Sequence, residues 1–210
     1  RRYAASAGDS IVSDHEQVQL SWFLQPAERF NLTATVYRNG FFRNWRKLEK
    51  VSGRGISQVL AEPAPDGQVF AMPAWIPGSY MIRDYARNVV AIRAESDGLD
   101  VPLNKLDKSR WQADPVDREL TVVAEIYAHD PSVRCAHLDT THAYFNGTCV
   151  FLCPEGHEDA PCEVDIAAPE EPVGKGWRVA TSMRRKQAER YGYGIYEADD
   201  YAELIDHPVE

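Results

Sequence analysis

Short stretches in which apolar and polar side chains alternate predict that most of this chain is β-structure. Apolar residues recur at every second position within residues 18–24, 32–37 and 120–126, and a period of two is typical of a strand that buries one face. Turn residues such as Gly, Pro, Asn and Asp divide the chain into roughly nine or ten such segments. The pattern predicts an antiparallel all-β fold, a sandwich or saddle-like domain, over residues 15–181.

The two ends of the chain have a different character. Residues 1–14 are small and polar, which predicts a loose N-terminus. Residues 182–210 begin with a highly charged run, so we expect them to lie on the surface, outside the β core, as a short C-terminal connector. Within this connector, Asp200 and Glu203 have the spacing of a capping box, which predicts a short helix at residues 201–206.

One segment between two predicted strands is interrupted by two prolines, Pro73 and Pro77. Proline fixes its own φ and restricts the residue before it, and the Pro77-Gly78 pair predicts a tight turn. Trp75 lies between the prolines, so its large ring is held on a stiff backbone. We interpret Trp75, Pro77 and Gly78 as a structural corner, and we expect Trp75, like Trp111, to be largely buried.

Side chains with hydrogen-bonding groups at their tips follow this corner. Arg83 and Asp84 are adjacent, and in a strand adjacent side chains point to opposite faces, so we do not expect them to pair with each other. These groups either make separate structural hydrogen bonds or line a substrate cleft, because polar groups on a rigid backbone suit a binding site. The candidates for the cleft are Tyr80, Arg83, Asp84 and Tyr85.

The motif Trp-Ile-Pro-Gly-Ser-Tyr-Met-Ile-Arg-Asp-Tyr-Ala-Arg-Asn-Val at residues 75–89 resembles the signature of the N-terminal domain of the glycyl aminopeptidase family. Members of that family are zinc metallopeptidases that often carry a C-terminal PDZ domain. The resemblance extends to residues 103–111, 125–134, 137–139, 144–148, 177–181 and 200–210. It implies that this chain is the non-catalytic β domain of a hydrolase that removes N-terminal residues, with glycine and alanine preferred.

The same resemblance implies the partners and the cofactor of the parent protein. The domain would pack on its own downstream catalytic domain, with residues 182–210 as the connector, and would help to form the cleft for a peptide substrate. The catalytic zinc would lie in that downstream domain, which this chain lacks. With no initiator Met, the chain is expected to be a piece of a longer one.

The zinc-binding motif H-E-x-x-H is missing from this sequence. His15 and His157 are each followed by Glu, but the positions of the second histidine are occupied by Gln19 and Pro161. Two histidines one helical turn apart hold the zinc in such peptidases, and the Glu serves as general base. We therefore expect no catalytic residue in this chain, and no activity from the chain alone.

Four cysteines, two histidines and one aspartate between residues 135 and 162 form a further set of side chains that can bind a metal. Two interpretations of this set remain open, a structural zinc site or buried small thiols that form a disulfide if the protein is exported. The spacing of the cysteines does not match the C-x-x-C of a zinc ribbon, and we therefore expect no metal ligands in this chain. The residues concerned are Cys135, His137, Asp139 and His142, followed by Cys149, Cys153 and Cys162.

Composition and charge narrow the range of partners. The 210 residues carry a formal net charge of −9, which argues against binding of nucleic acid. Residues 38–54 are basic with interleaved aromatics. A site for single-stranded nucleic acid is one interpretation of this run, and a solvated loop or strand over a few buried rings is the favoured one.

Membrane association is not expected either. No apolar run approaches the roughly 20 residues of a membrane span, and no signal peptide is recognisable. We therefore expect a soluble protein, cytoplasmic rather than periplasmic. The alternative to a peptidase domain is a stand-alone β-sandwich module that binds carbohydrate or protein through exposed aromatics.

Overall fold

The structure is a computed structural model that describes residues 17–18, 32–33, 36–37, 56–139, 141–168 and 176–210. Within these residues the chain forms 16 β-strands, two 3-10 turns and one α-helix, and the strands pair in antiparallel fashion. The predicted all-β class is confirmed. The predictions for residues 1–14 and for the basic run 38–54 lie outside the described residues.

The largest sheet has five strands and contains the clearest alternating segment of the sequence. Its strands in spatial order are β2, β4, β10, β6 and β7, which span Leu32–Thr33, Ile56–Leu60, Leu120–Ile126, Val89–Ser96 and Leu99–Val101. The even-numbered positions of the central strand β10 are buried, as the alternation predicts, and Val123 is buried as well. Both faces of this strand are therefore covered at its middle.

The remaining strands form smaller sheets. A four-stranded sheet has the order β13, β5, β9 and β8, which span Cys153–Pro154, Val69–Ala71, Arg110–Ala113 and Leu103–Lys105. A three-stranded sheet has the order β14, β16 and β15, which span Cys162–Ile166, Gly194–Ala198 and Arg184–Arg185. Two sheets of two strands each pair β1 with β3 and β11 with β12, which span Gln17–Val18, Val36–Tyr37, Ala136–Leu138 and Ala143–Phe145. The helix α1 and the two 3-10 turns span Tyr201–Asp206, Tyr85–Asn88 and Gly147–Cys149.

A contiguous hydrophobic core joins the five-, four- and three-stranded sheets and the β11–β12 pair. Trp111 of β9 is buried opposite Phe70 of β5, which confirms the prediction for Trp111. Gln58 of β4 makes two hydrogen bonds to the backbone of Leu152: its Nε2 donates to the carbonyl oxygen at 2.8 Å, and its Oε1 accepts from the amide at 2.9 Å. A buried amide that is satisfied on both sides fixes the segment after the second 3-10 turn against the five-stranded sheet.

The expectation that residues 182–210 lie outside the β core is wrong. Strand β16 pairs with β14 along its whole length, and α1 packs its apolar face inwards. The charged run that suggested a surface segment occupies the exposed edge strand β15 and the turns after it, whereas the apolar residues that follow reach the core. The buried residues of this part are Met183, Tyr196, Ala198, Tyr201, Leu204, Ile205 and Val209.

The predicted C-terminal helix is confirmed as α1. The Asp200 side chain caps it by accepting a hydrogen bond from the amide of Glu203 at 2.7 Å. The Glu203 carboxylate accepts from the amide of Asp199, so the reciprocal bond reaches one residue further than in a capping box. On the buried face, the Tyr201 hydroxyl donates to the carbonyl oxygen of Phe151 at 2.8 Å. In the part of the chain that the structure describes, no helix combines the length and apolarity that crossing a bilayer requires.

Candidate functional site

The corner between β5 and β6 is built as the two prolines predict. The amide of Ser79 donates to the carbonyl oxygen of Ile76 at 3.1 Å, which closes the Pro-Gly turn. Gly78 has φ +75°, a conformation that favours glycine. A second backbone hydrogen bond, from the amide of Arg83 to the carbonyl oxygen of Ala74 at 2.7 Å, closes the loop at its base. The corner is therefore a defined loop held by its own backbone.

The outer surface of this corner exposes large apolar side chains. Trp75 is 50% exposed, so the expectation that it is largely buried is wrong. Its neighbour Ile76 is buried instead, because adjacent side chains on an extended backbone point in opposite directions and only one of them can face the core. We call the exposed apolar residues of the corner the corner tip, which consists of Trp75, Tyr80, Met81 and Ile82.

Arg83 and Asp84 follow the corner tip and do not lie in a strand. Asp84 has φ +47° and leads into the first 3-10 turn, and its carboxylate forms an exposed ion pair with Lys108 at 2.7 Å. The Arg83 guanidinium donates through Nη2 to the hydroxyl of Ser79 at 3.2 Å, and its Nε is buried with no partner among the described residues. Both residues thus make separate contacts, and Lys108 is a neighbour that the local sequence does not reveal.

Tyr85, the fourth cleft candidate, is a core residue. Its ring is buried, and its hydroxyl donates to the carbonyl oxygen of Arg134 at 2.6 Å. Burial, together with the nearby thiols of Cys149 and Cys135, raises the pKa of the Tyr85 phenol well above its usual range, so the hydroxyl stays protonated and keeps donating. Tyr85 therefore lies inside the domain rather than on the exposed surface of the corner. It fastens the corner to the turn before β11.

The β11–β12 hairpin brings together three residues with metal-binding side chains, which we call the hairpin cluster. His137, Asp139 and His142 each offer one ligand atom, and these atoms lie within 4.8 Å of one another. Asp139 Oδ1 accepts from the amide and the hydroxyl of Thr141, both at 2.6 Å, and from the amide of His142 at 3.1 Å. The bonds from Thr141 hold the pKa of the Asp139 carboxyl well below its usual range, so the cluster combines an anionic oxygen with two imidazoles.

His137 is the buried member of the hairpin cluster. It is 9% exposed, its Nε2 lies 3.1 Å from Oδ2 of Asp139, and its Nδ1 has no hydrogen-bond partner among the described residues. Its ring stacks on His129 with centroids 5.5 Å apart, and the ring of His142 lies 5.2 Å away. Three imidazole rings are thus adjacent, with the central one inside the protein.

The four cysteines do not take part in this cluster. All are free thiols, and Cys135 is not among the grouped ligands. Burial raises the pKa of Cys149, Cys153 and Cys162 to about 12. Thiols that stay protonated bind metals poorly and react slowly. The structure therefore favours the interpretation of these residues as small packing groups over a cysteine-ligated zinc site.

The family model of the Peptidase M61 N-terminal domain matches residues 55–210, which include both the corner and the hairpin. The chain belongs to this family. The matched residues include β16 and α1, which agrees with the place of these elements in the core. The resemblance to the N-terminal domain of a metallopeptidase, inferred from residues 75–89, is confirmed.

A solved structure is also similar to this M61 N-terminal domain. It is the crystal structure of an aminopeptidase N family protein from Idiomarina loihiensis, with 40% sequence identity and a TM-score of 0.70 over 73% of this chain. The chain covers 26% of that protein's length. The comparison with curated proteins found no match.

Proposed function

We propose that this chain is the non-catalytic N-terminal domain of a zinc metallo-aminopeptidase, that it packs on the catalytic domain of the same protein, and that it helps to form the peptide cleft. Membership of the M61 family and the similarity to an aminopeptidase N family protein support the peptidase context. The observation that carries the proposal is the exposure of four large apolar side chains on one short corner.

The corner tip exposes apolar side chains to water, which is unfavourable unless a partner covers them. Tyr80 is fully exposed, and Met81 and Ile82 are 63% and 68% exposed. Exposed apolar groups gathered in one place mark interaction surfaces. Removing them from water against a second domain is favourable by about 25 cal/mol per Å², so the corner tip suits a contact with the catalytic domain.

The corner is also held rigidly enough to serve as a docking or cleft-lining element. The turn at Gly78, the backbone bond from Arg83 to Ala74, and the hydrogen bond from Tyr85 to Arg134 fix it at three points. A surface that is already ordered loses little conformational entropy on binding. Tyr85 thus contributes to this proposal as a support for the corner rather than as a contact with substrate.

Polar groups beside the corner tip suit the ends of a peptide. In this proposal, Tyr80, Arg83 and Asp84 line the cleft. The Asp84 carboxylate is oriented by Lys108 and is able to accept from a cationic peptide amine, while Arg83 is able to donate to a peptide carbonyl oxygen. The net charge of −9 adds a weak attraction for a cationic amine.

The hydrolytic reaction belongs, in this proposal, to the catalytic domain. Zinc would be held there by the H-E-x-x-H motif that this sequence lacks. This chain supplies no catalytic residue and acts by positioning. A C-terminal PDZ domain in the parent protein rests on the family resemblance alone. Four free thiols favour a reducing compartment such as the cytoplasm.

The test uses the full-length parent protein with the corner tip made polar. The double variant Met81→Ser, Ile82→Ser should lower kcat/KM for an alanyl peptide by about tenfold, equivalent to about 1.4 kcal/mol of lost transition-state stabilisation, and should uncouple the thermal unfolding of the two domains. Leu99→Ser is the matched control, because Leu99 is 73% exposed at the edge of the five-stranded sheet.

Two results would count against this proposal. Wild-type kcat/KM and cooperative unfolding in the double variant would show that the corner tip is not a domain contact. Binding of a carbohydrate or an unrelated protein by the 210-residue chain, lost in Trp75→Ala and Tyr80→Ala, would support the stand-alone binding module instead.

A further inference from the structure

We propose that the hairpin cluster is a zinc site, in which His137, Asp139 and His142 bind one Zn²⁺ ion. The proposal does not depend on how the domain packs. It rests on the geometry of one hairpin and on the chemistry of its three side chains.

The backbone of the hairpin places the three ligands together. Leu138 pairs with Ala143, and the amide of Asp139 donates to the carbonyl oxygen of His142 at 3.1 Å, which closes a tight turn between the two ligands. His137 and Asp139 are two residues apart, so on an extended strand their side chains share one face. The fold therefore brings the ligands together without any long-range contact.

The distances between ligand groups are close to those of a zinc site. Ligands about 2.0–2.1 Å from a tetrahedral zinc lie about 3.3–3.4 Å from one another. Nε2 of His137 and Oδ2 of Asp139 are 3.1 Å apart, and one ligand atom from each of the three residues lies within 4.8 Å of the other two. His142 has about half of its side chain exposed, so its ring is free to make the small adjustment that remains.

The Asp139 carboxylate is already oriented for this role. Three donors from Thr141 and His142 hold Oδ1, and Oδ2 is directed towards the ring of His137. Such hydrogen bonds to a ligand carboxylate fix its position and cost no reorganisation when a metal binds. The turn therefore prepares the oxygen ligand before the ion arrives.

His137 is held in place for this role. It is almost entirely buried, and its Nε2, the atom next to Oδ2 of Asp139, is the atom that would bind the ion. The Nδ1 of the same ring has no hydrogen-bond partner among the described residues and would face away from the ion. The ring of His129 stacks on that of His137, with centroids 5.5 Å apart.

The donor set selects the type of ion. Two imidazole nitrogens and one carboxylate oxygen suit Zn²⁺, whereas Mg²⁺ and Ca²⁺ prefer ligand sets made of oxygen. Three protein ligands leave one tetrahedral position for water or for a group from another part of the protein. The bound ion would join β11 to the turn and stabilise the hairpin.

The experiment titrates the metal-free 210-residue chain with ZnCl2 by calorimetry, and with Co²⁺ while visible absorption is followed. One Zn²⁺ should bind per chain, and the Co²⁺ form should show the d–d bands of a tetrahedral site. His142→Ala and Asp139→Asn should each weaken Zn²⁺ binding by more than about tenfold, since changes even to residues that only orient ligands cost about 10–100-fold. His157→Ala is the control, because His157 lies in a different turn.

Thermal unfolding provides a readout that does not depend on the titration. Saturating Zn²⁺ should raise the Tm of the wild type and of His157→Ala but not that of His142→Ala, because only a ligand that binds the folded state stabilises it. No Zn²⁺ binding by the wild type, or equal binding by His142→Ala and the wild type, would overturn the proposal. In either case Asp139 would serve only to close the turn.

Discussion

The hydroxyl of Tyr85 donates a hydrogen bond of 2.6 Å to the backbone carbonyl oxygen of Arg134, across 49 positions of the sequence. The thiol of Cys149 reaches the same oxygen at 3.3 Å. One carbonyl group thus joins the corner, the turn before β11 and the second 3-10 turn. The corner tip and the hairpin cluster therefore adjoin elements that are hydrogen-bonded to one another.

Tyr85→Phe should destabilise the domain by about 1 kcal/mol, because it removes one buried hydrogen bond while the ring still fills its space. The free energy of unfolding in urea measures the effect. Tyr80→Phe is the control, since the Tyr80 side chain is fully exposed. A Tyr85→Phe variant as stable as the wild type would mean that the bond does not hold the corner.

Gly147→Ala should disturb the packing of α1, whereas Gly78→Ala should strain only the backbone of the Pro-Gly turn. A Cβ at Gly147 would lie 2.8 Å from the Cα of Ile205 in α1, and such overpacking costs about 1–3 kcal/mol. At Gly78 a Cβ would meet nothing within 4 Å, so Gly78→Ala pays only the conformational cost of positive φ, about 1–2 kcal/mol. Urea unfolding compares the two.

The state of α1 distinguishes overpacking at Gly147 from backbone strain at Gly78. The far-UV signal of the helix and the protection of its amides should fall in Gly147→Ala and remain in Gly78→Ala. If both variants keep α1 protected, the close approach of Gly147 to Ile205 does not control the packing of the helix.

Features encoded within a few residues could be predicted from the sequence. The alternation of β10, the turn at Gly78 and the cap at Asp200 depend on neighbours in the chain. The burial of Trp75 could not be predicted, since Trp75 and Ile76 are both apolar and only the packing of the whole corner decides which one turns inwards.

Contacts between residues that are distant in sequence explain the other differences between the predictions and the structure. The pairing of β14 with β16 joins segments separated by the charged run, so the local charge of that run suggested a surface connector. The Lys108 partner of Asp84 is likewise invisible to local patterns. The hairpin cluster lies within six residues, and the sequence placed its members in a larger set with Cys135 and the later cysteines. Because the spacing of the cysteines did not match a zinc ribbon, the sequence predicted no metal ligand.

Asp107 should make the free energy of unfolding of the domain depend on pH in the acidic range. Its carboxylate accepts from the amide of Ser109 at 2.8 Å and from the guanidinium of Arg110 at 2.8 Å, and these bonds lower its pKa from 3.8 to about 2. Because the folded-state pKa is depressed, the stabilisation is present above pH 3.8 and is lost as the pH falls through about 2.

The measurement is urea unfolding at a series of pH values. Asp107→Asn should lower the stability at neutral pH and should flatten the loss of stability on acidification. Asp117→Asn is the control, because it removes the same charge from an exposed position without touching the bonds to Ser109 and Arg110. If the free energy of unfolding falls equally on acidification in the wild type and in Asp107→Asn, Asp107 is not the source of the pH dependence.

The 210-residue chain should show no aminopeptidase activity. Purified with zinc and given a glycyl or alanyl reporter, it should turn over no faster than a metal-free sample, because it has no H-E-x-x-H motif to supply both zinc histidines and the general base. Turnover that a chelator abolishes would show that catalytic residues are present in the chain after all. The hairpin cluster would then be the first place to search.

Hydrogen exchange should show that the C-terminal part belongs to the core. Amides of β16 pair with β14, and Leu204 and Ile205 of α1 are buried, so these segments open only when the whole domain unfolds. Protection of β16 should therefore lie within about a factor of ten of that of β10, since both would report global opening. The exposed edge strand β15 is the internal control and should exchange faster. Fast exchange throughout β16 and α1, with β10 still protected, would show that these segments detach from the core. Residues 182–210 would then be a connector, as the sequence predicted.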